Sequence, residues 1–498
     1  MGALDTSIVN VSLPSMMADF GANIKQIEWV ITAYMLAFAV LMPLTSWLRD
    51  RIGARWLYTG SLILFTAGSV LCGMAWNVPS LIFARVIQAL GGGPINPIGM
   101  AMLTEVFEPH ERGKAMGYWG LGVIIGPAIA PTLGGYLTAW FGWRSIFLIN
   151  LPIGIIGCFL ALEWLRKDVI SKEHKPFDFW GFSFLAVFLI SFLLGVSEGE
   201  KEGWTSLYIL SCFVTAAISL VSFLITDSLS KVKIMDLTLF KSPVFSVAML
   251  ITAVRSIALY GGIFLLPLFL QQVKGLDAIQ TGLLMFPGSL LMAFLMPITG
   301  KMSDKSSPRL LVFIGLIGLA VFMYMYVFIS MYMSNWDIIL PTLIRAIGFS
   351  LLIAPISATM MNAIPRSSAS MASAMTNIIQ QIAGAIGIAV LSTVLDIRVK
   401  FHMAQAGVQL STSQNYLGIA QGIGQQVHSL GLNYHDSVSA AQGILLKHIS
   451  LAEMTFAFQD AFLVAFFMVL IAIIPTFLLP NTTGAKKGVA AEPVIHGE

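Results

Sequence analysis

Residues 4–14 of the chain read LDTSIVNVSLP, an apolar segment that carries an aspartate, Asp5, close to its start. Residues 81–93 read LIFARVIQALGGG and set an arginine, Arg85, in the same kind of surroundings. In hydrocarbon an ionisable side chain is costly unless it is paired, hydrated or neutralised, so charges in such segments mark pathways for ions or substrates. The two stretches together predict a membrane protein that moves something across the bilayer.

Composition supports this. Of the 498 residues, 57% are hydrophobic and 11% are charged, against about 25% charged in a soluble domain. A net charge of +3 is too small to suggest a nucleic-acid partner. Cys72, Cys158 and Cys212 all fall in apolar segments and read as small buried side chains, not as a disulfide framework. His110, His174, His402, His428, His435, His448 and His496 fall in predicted loops or tails. Neither a metal cluster nor a nucleophile with its base is legible, so no enzyme, no metal and no cofactor are expected. No cleavable leader is read, because the first apolar segment carries Asp5 and runs on to Asp19. Only four residues precede Asp5, so the expectation is either an unusually short inner half of the first span or a natural start further upstream.

A helix needs about 20 apolar residues to cross a hydrocarbon core of about 30 Å. By that rule the fold class is an all-α polytopic membrane protein with fourteen transmembrane helices. The lysines and arginines divide unevenly, with about 18 in alternate loops on one side and about 7 on the other, which sets orientation. Both termini are therefore expected in the cytoplasm, and the polar stretch 397–455 is expected as an outer loop. The segment Ser46-Trp47-Leu48-Arg49-Asp50-Arg51-Ile52-Gly53-Ala54-Arg55 has an echo in Gly300-Lys301-Met302-Ser303-Asp304-Lys305, and Arg85 has one in Arg345 at nearly the same offset. This internal repeat predicts two six-helix halves with two helices inserted between them. The boundaries read as 1–166 for the first half, 167–235 for the linker with its two extra helices, 236–479 for the second half including the loop, and 480–498 for a cytoplasmic tail. Repeated halves around a central site are a common transporter design, in which one half rocks against the other.

The loop around Asp50 resembles the signature of the major facilitator superfamily. The fifth span, with Gly122, Gly126, Pro127, Pro131, Gly134 and Gly135, resembles the motif of that superfamily's antiporters. Together with LDTSIVNVSLP and the run Trp143-Arg144-Ser145-Ile146-Phe147-Leu148-Ile149-Asn150-Leu151-Pro152, these residues resemble the fourteen-helix drug:proton antiporter family. Ser46 stands where the loop usually opens on glycine, and Ala54 where it has a basic residue. The resemblance implies efflux of amphiphilic compounds across the cytoplasmic membrane, driven by the proton gradient. The implied partners are small amphiphilic substrates, protons and the bilayer, with a periplasmic adaptor protein where the host has an outer membrane. A dedicated exporter of a metabolite, siderophore or lipid is an alternative on the same fold. A proton-coupled peptide symporter lacks support, since the usual acidic pair and arginine of its first helix are absent here.

The residues assign roles on physical grounds. Burial favours a neutral carboxyl while a nearby arginine favours the carboxylate, so Asp5 with Arg85 can load and release a proton; a static buried ion pair is the alternative. Asp50, Arg51 and Arg55, with Asp304 in the repeat, read as an inner gate, because a charge network at helix ends depends steeply on geometry and dielectric. The glycines and prolines of the fifth span read as a packing face with conformational consequences. Arg255 lies about 11 residues into the ninth span, hence about 17 Å deep. It is taken as a cavity residue facing Asp5, with snorkelling to the inner surface as the alternative. Tyr260, Gln271, Asn377, Gln380 and Gln381 are further cavity candidates, the last three sharing one helix face.

Overall fold

The computed structural model describes residues 1–165, 176–230, 233–365, 368–412 and 434–481. Among them the chain forms α-helices, one short 3-10 turn at Leu237–Lys241, and no strand. In chain order the helices are α1 (Gly2–Phe20), α2 (Ile24–Leu41), α3 (Leu44–Ile52), α4 (Ala54–Gly73), α5 (Val78–Val106), α6 (Arg112–Phe141), α7 (Ser145–Leu148) and α8 (Asn150–Trp164). The inserted pair is α9 (Phe179–Glu202) and α10 (Leu207–Leu229). There follow α11 (Pro243–Gln272), α12 (Ala278–Lys305), α13 (Pro308–Tyr326), α14 (Asn335–Asn362), α15 (Ala369–Thr412) and α16 (Tyr434–Thr476).

Lipid offers no hydrogen bonds to backbone, so a spanning chain satisfies its amides within helices. Where helices start beyond the apolar zone, side chains take over that task. Asn23 with Gln26, Asn77 with Ser80, Asp277 with Gln280, and Ser334 with Asp337 form reciprocal capping boxes at the starts of α2, α5, α12 and α14. α1 ends at Gly21, whose φ of 61° is a left-handed turn that a side chain would resist.

Among the described residues, eleven helices are long and apolar enough to cross a bilayer, α7 and α8 counting as one, or twelve if α2 and α3, bent by 57°, also count as one span. The fourteen read from the sequence are not all matched by this measure. α1 falls outside the set, because Asp5, Asn10, Ser12 and Asp19 dilute its apolarity. The described residues of the stretch 397–455 are helical, in keeping with the helical periodicity of its sequence: α15 runs 44 residues and α16 runs 43, each more than 60 Å at about 1.5 Å per residue. The polar stretch keeps its helix because the two extensions pack on each other. Arg398 Nε and His402 Nε2 of α15 both meet Asp460 Oδ2 of α16, at 2.6 and 2.7 Å. Residues 166–175 of the linker and 482–498 of the tail lie outside the described residues.

One apolar core gathers Ile8, Met16, Val30, Leu81 and Phe147 of α1, α2, α5 and α7 with Trp143 of the turn before α7. A larger one runs through α11–α16 and takes in Leu185 and Leu189 of α9. Between these bodies α6 and α12 run antiparallel in close contact. A Cβ on Gly117 would lie 2.5 Å from the Met296 carbonyl oxygen, and one on Gly300 would lie 2.6 Å from that of Gly113. At the other end Gly135 sits against Ile279. Such backbone proximity is the usual use of small residues between membrane helices.

Candidate functional site

Asp5 and Arg85 meet in the interior of the first core. Asp5 is fully buried, and Arg85 is the largest fully buried side chain of the chain's described residues. Arg85 Nη1 donates to Asp5 Oδ2. Gln88 Nε2 and Asn150 Nδ2 donate to the other oxygen, Oδ1, at 2.8 and 3.2 Å. The same arginine donates through Nη1 to Gln88 Oε1 at 2.7 Å and through Nε to the Val30 carbonyl at 3.3 Å. Ser69 Oγ accepts from Gln88 and Asn150 and donates to the Phe147 carbonyl. The Tyr34 ring lies under the guanidinium at 3.9 Å. Five helices thus converge on one carboxylate: α1, α2, α4, α5 and α8.

Local sequence explains the convergence. Gln88 is three residues after Arg85, so both point from one face of α5. Asn150 is the first residue of α8, placed by the short helix α7. Ser69, Gln88 and Asn150 were not singled out by sequence reasoning; a signal existed, since each is a hydrogen-bonding residue inside an apolar run. A buried ion pair of this kind is costly to break by removing one partner, at about 3–5 kcal/mol.

The residues read as an inner gate divide. Asp304, at the end of α12, accepts from the backbone amides of Gly113 at 2.8 Å and Lys114 at 3.0 Å, at the start of α6. A carboxylate at a helix N-terminus is favoured by the exposed amides and the helix dipole. Arg112 makes the converse contact. It is 3% exposed, and its Nη1 donates to the Met361 carbonyl at 3.1 Å and Asn362 Oδ1 at 2.7 Å, at the end of α14. Its Nη2 donates to the Thr104 carbonyl at 2.8 Å. Sequence reasoning counted Arg112 only as a loop cation. On α3, Asp50 is exposed and Arg51 lies over the Trp47 ring at 5.2 Å, while Arg55, at the start of α4, donates to the Leu162 carbonyl. Arg49 pairs with Glu105. Asp304 and Arg112 each tie the first body to the second.

The glycines of α6 serve two faces. Gly126 and Gly134 receive Leu4 and Ile8 of α1, while Gly113, Gly117, Gly120 and Gly135 face α12 or α14. Gly122 has nothing within 4 Å of where a side chain would begin, so it belongs to neither. Pro127 and Pro131 lie within the helical run; their side chains are outside the described set.

Arg255 does not meet Asp5, whose partners are those named above. It is 7% exposed, with its guanidinium over the Phe349 ring at 5.2 Å. Arg345 is equally buried, over the Phe322 ring at 5.7 Å. Neither has a carboxylate partner among the described residues. Tyr260 packs on Gly384, and Gln271 is exposed at the end of α11. Asn377 donates to the Ser373 carbonyl of its own helix at 2.8 Å, which occupies its amide, while Gln380 and Gln381 are half-buried beside it.

The family profile described as Major Facilitator Superfamily matches residues 1–388. The MFS-type transporter YhcA of Bacillus subtilis strain 168 is 34% identical over 465 residues, covering 93% of this chain and 87% of its own. The multidrug export protein EmrB of Escherichia coli strain K12 is 30% identical, covering 95% of this chain and 92% of its own. In fold, the human organic anion transporter TETRAN superposes with a TM-score of 0.60 at 13% identity, covering 94% of this chain and 96% of its own.

Proposed function

The chain belongs to the major facilitator superfamily of membrane transporters, and from that premise we propose that it exports amphiphilic compounds in exchange for protons. The observation that carries the reading is the Asp5 carboxylate, fully buried and held by Arg85, Gln88 and Asn150. Protonating Asp5 removes the charge that fixes the guanidinium, and five helices are anchored on that contact. A change of one proton therefore alters the packing of the first half, which is what coupling requires: differential stabilisation of two conformations. The proton gradient is the energy source and no cofactor takes part. In this reading the protein lies in the cytoplasmic membrane with both termini inside, and the paired extensions of α15 and α16 offer a face to a periplasmic adaptor where one exists. The likeness to the multidrug export protein supports this reading over the alternatives. The test is extrusion of a lipophilic dye from everted vesicles: collapse of the pH gradient stops it if the reading holds, and gradient-independent extrusion overturns it.

The contacts of Asp304 and Arg112 suit an inner gate, since each joins a helix end of one body to the other. Asp304→Ala is expected to lower turnover several-fold while substrate affinity holds, and Asp50→Ala to do the same through α3. Transport assays at matched expression check this; unchanged turnover in both variants leaves topology as the sole role of these charges.

Arg255 and Arg345 favour a second reading of the cargo, toward a dedicated exporter of neutral, zwitterionic or weakly anionic amphiphiles. A cavity for permanent cations needs buried carboxylates, because a desolvated cation requires a counter-charge. Here the buried balance in the second half is cationic. Arg255→Ala is expected to reduce resistance to an anionic amphiphile in a pump-deficient host, while wild type and variant alike give little resistance to a quaternary ammonium dye. Strong efflux of the permanent cation, indifferent to Arg255, sinks this second reading.

A further inference from the structure

Asp5 is fully enclosed, so a proton can reach it only along some route through the packing. α1 itself suggests one. Asp5, Ser12 and Asp19 recur every seventh residue, which brings them to nearly one face of a helix, spaced by about 10 Å along its axis. That face meets α6. Ser12 is fully buried, and its Oγ lies 2.6 Å from Thr138 Oγ1 across the α1–α6 contact. Thr138 in turn lines an open cavity of about 540 Å³ together with Ser15, Asp19, Trp143 and Arg144. At its mouth Asp19 Oδ2 accepts from Trp143 Nε1 at 3.0 Å and from Arg144 Nη1 at 2.7 Å.

Between Ser12 and Asp5 the lining is apolar. Ile8 and Val9 are both fully buried, and Ile8 occupies the space beside Gly134, where a Cβ would lie 2.6 Å from Ile8 Cγ1. A hydroxyl pair in such an interface joins the two helices, each hydroxyl satisfying the other. Its position at the edge of an open cavity, on the face that carries Asp5, gives it another use.

We propose that Ser12 and Thr138 relay protons between this cavity and Asp5, with Ile8 seated on Gly134 as the closed gate of the route. The inference rests on Asp5 as the coupling carboxylate and adds how the proton arrives. A proton from the cavity binds an oxygen lone pair of one hydroxyl, and that hydroxyl passes on the proton it already carried. The net change is one O–H bond formed at Asp5, with both hydroxyls restored and Arg85 left without its anionic partner. The gap from Ser12 to Asp5 exceeds one hydrogen bond, so it conducts only when Ile8 leaves Gly134 and water enters. A slide of α1 on the glycine face of α6 is enough to do this. The charged and titratable groups around the acceptor are Arg85 from α5, Tyr34 from α2, Cys72 from α4 and the Met1 amino group; Asp19 faces Arg144.

The test uses the full chain in proteoliposomes, following substrate-driven proton movement with a pH dye while varying the pH on the Asp19 side. Thr138→Val and Ser12→Ala are expected to slow proton movement about a hundredfold at neutral pH, the low end of what a positioned proton-transfer group contributes. Acidifying the Asp19 side should restore much of the rate, and Thr138→Ser should keep it near wild type. Ile8→Ala should leak protons without substrate. Asp5→Asn, run in parallel, separates the two levels. If Asp5→Asn is uncoupled while Thr138→Val and Ser12→Ala keep the wild-type pH profile, the relay is wrong and coupling at Asp5 stands. If coupling survives Asp5→Asn, the underlying reading fails. A Thr138→Val variant that is slow at every pH, and no better on acidification, assigns the pair to packing alone and also overturns the relay.

Discussion

Asp5→Asn is expected to abolish proton-driven efflux while leaving the protein inserted in the membrane. The amide keeps the shape of the carboxyl and cannot titrate. It also fits the surrounding donors badly: Arg85 addresses one oxygen and Gln88 with Asn150 the other, so one of these sets must face an NH2. Arg85 then stays buried without a counter-charge, and leaving one partner of a buried pair unpaired destabilises by about 3–5 kcal/mol. Lower thermal stability in detergent should therefore accompany the loss of transport. Arg85→Ala should also fail, for the converse reason. The measurement is dye extrusion and proton counterflow in everted vesicles at matched expression. Substrate-linked alkalinisation or acidification at the wild-type rate in Asp5→Asn removes Asp5 from coupling.

Gly300→Val is expected to be nearly as damaging by a different route. A Cβ at Gly300 would stand 2.6 Å from the Gly113 carbonyl oxygen and 3.1 Å from Gly117 Cα, backbone atoms that cannot rotate aside. α12 must then move off α6. Overpacking of this kind costs about 1–3 kcal/mol, and here it falls on the seam that also carries the Asp304 contacts to Gly113 and Lys114. Transport should drop to near background, with a shift toward the conformation in which the two helices separate at that end. Gly122→Ala is the internal control, because nothing lies within 4 Å of its added methyl; it should transport like wild type. Cysteine cross-linking across the α6–α12 seam reports the conformational shift, and a Gly300→Val protein with normal turnover and cross-linking would falsify the seam's role.

The sequence by itself determined the class of molecule and the partners at its centre. Long apolar stretches fix helices in lipid, since no other backbone state satisfies its amides there. A lone acid and a lone base in two of those stretches point to each other, because each is too costly to bury alone. Asp5 and Arg85 were legible for that reason, and so was the repeat that pairs Asp304 with Asp50. Tertiary structure decided what depends on which face of a helix meets which neighbour. Nothing in one-dimensional spacing states that Gln88, Asn150 and Ser69 complete the Asp5 site, since they come from three helices. The same holds for Arg112, a loop cation by sequence and a buried link to the end of α14 in the fold. Arg255 is buried, and the ring beneath its guanidinium, Phe349 of another helix, is given by the fold alone. The glycines of α6 show the limit most plainly: sequence gives seven residues without side chains, and only packing separates the faces that need them from Gly122, which does not. The stretch 397–455 carried helical periodicity in its sequence, and its described residues are helical; what only the fold states is the partner, the contacts of Arg398 and His402 with Asp460.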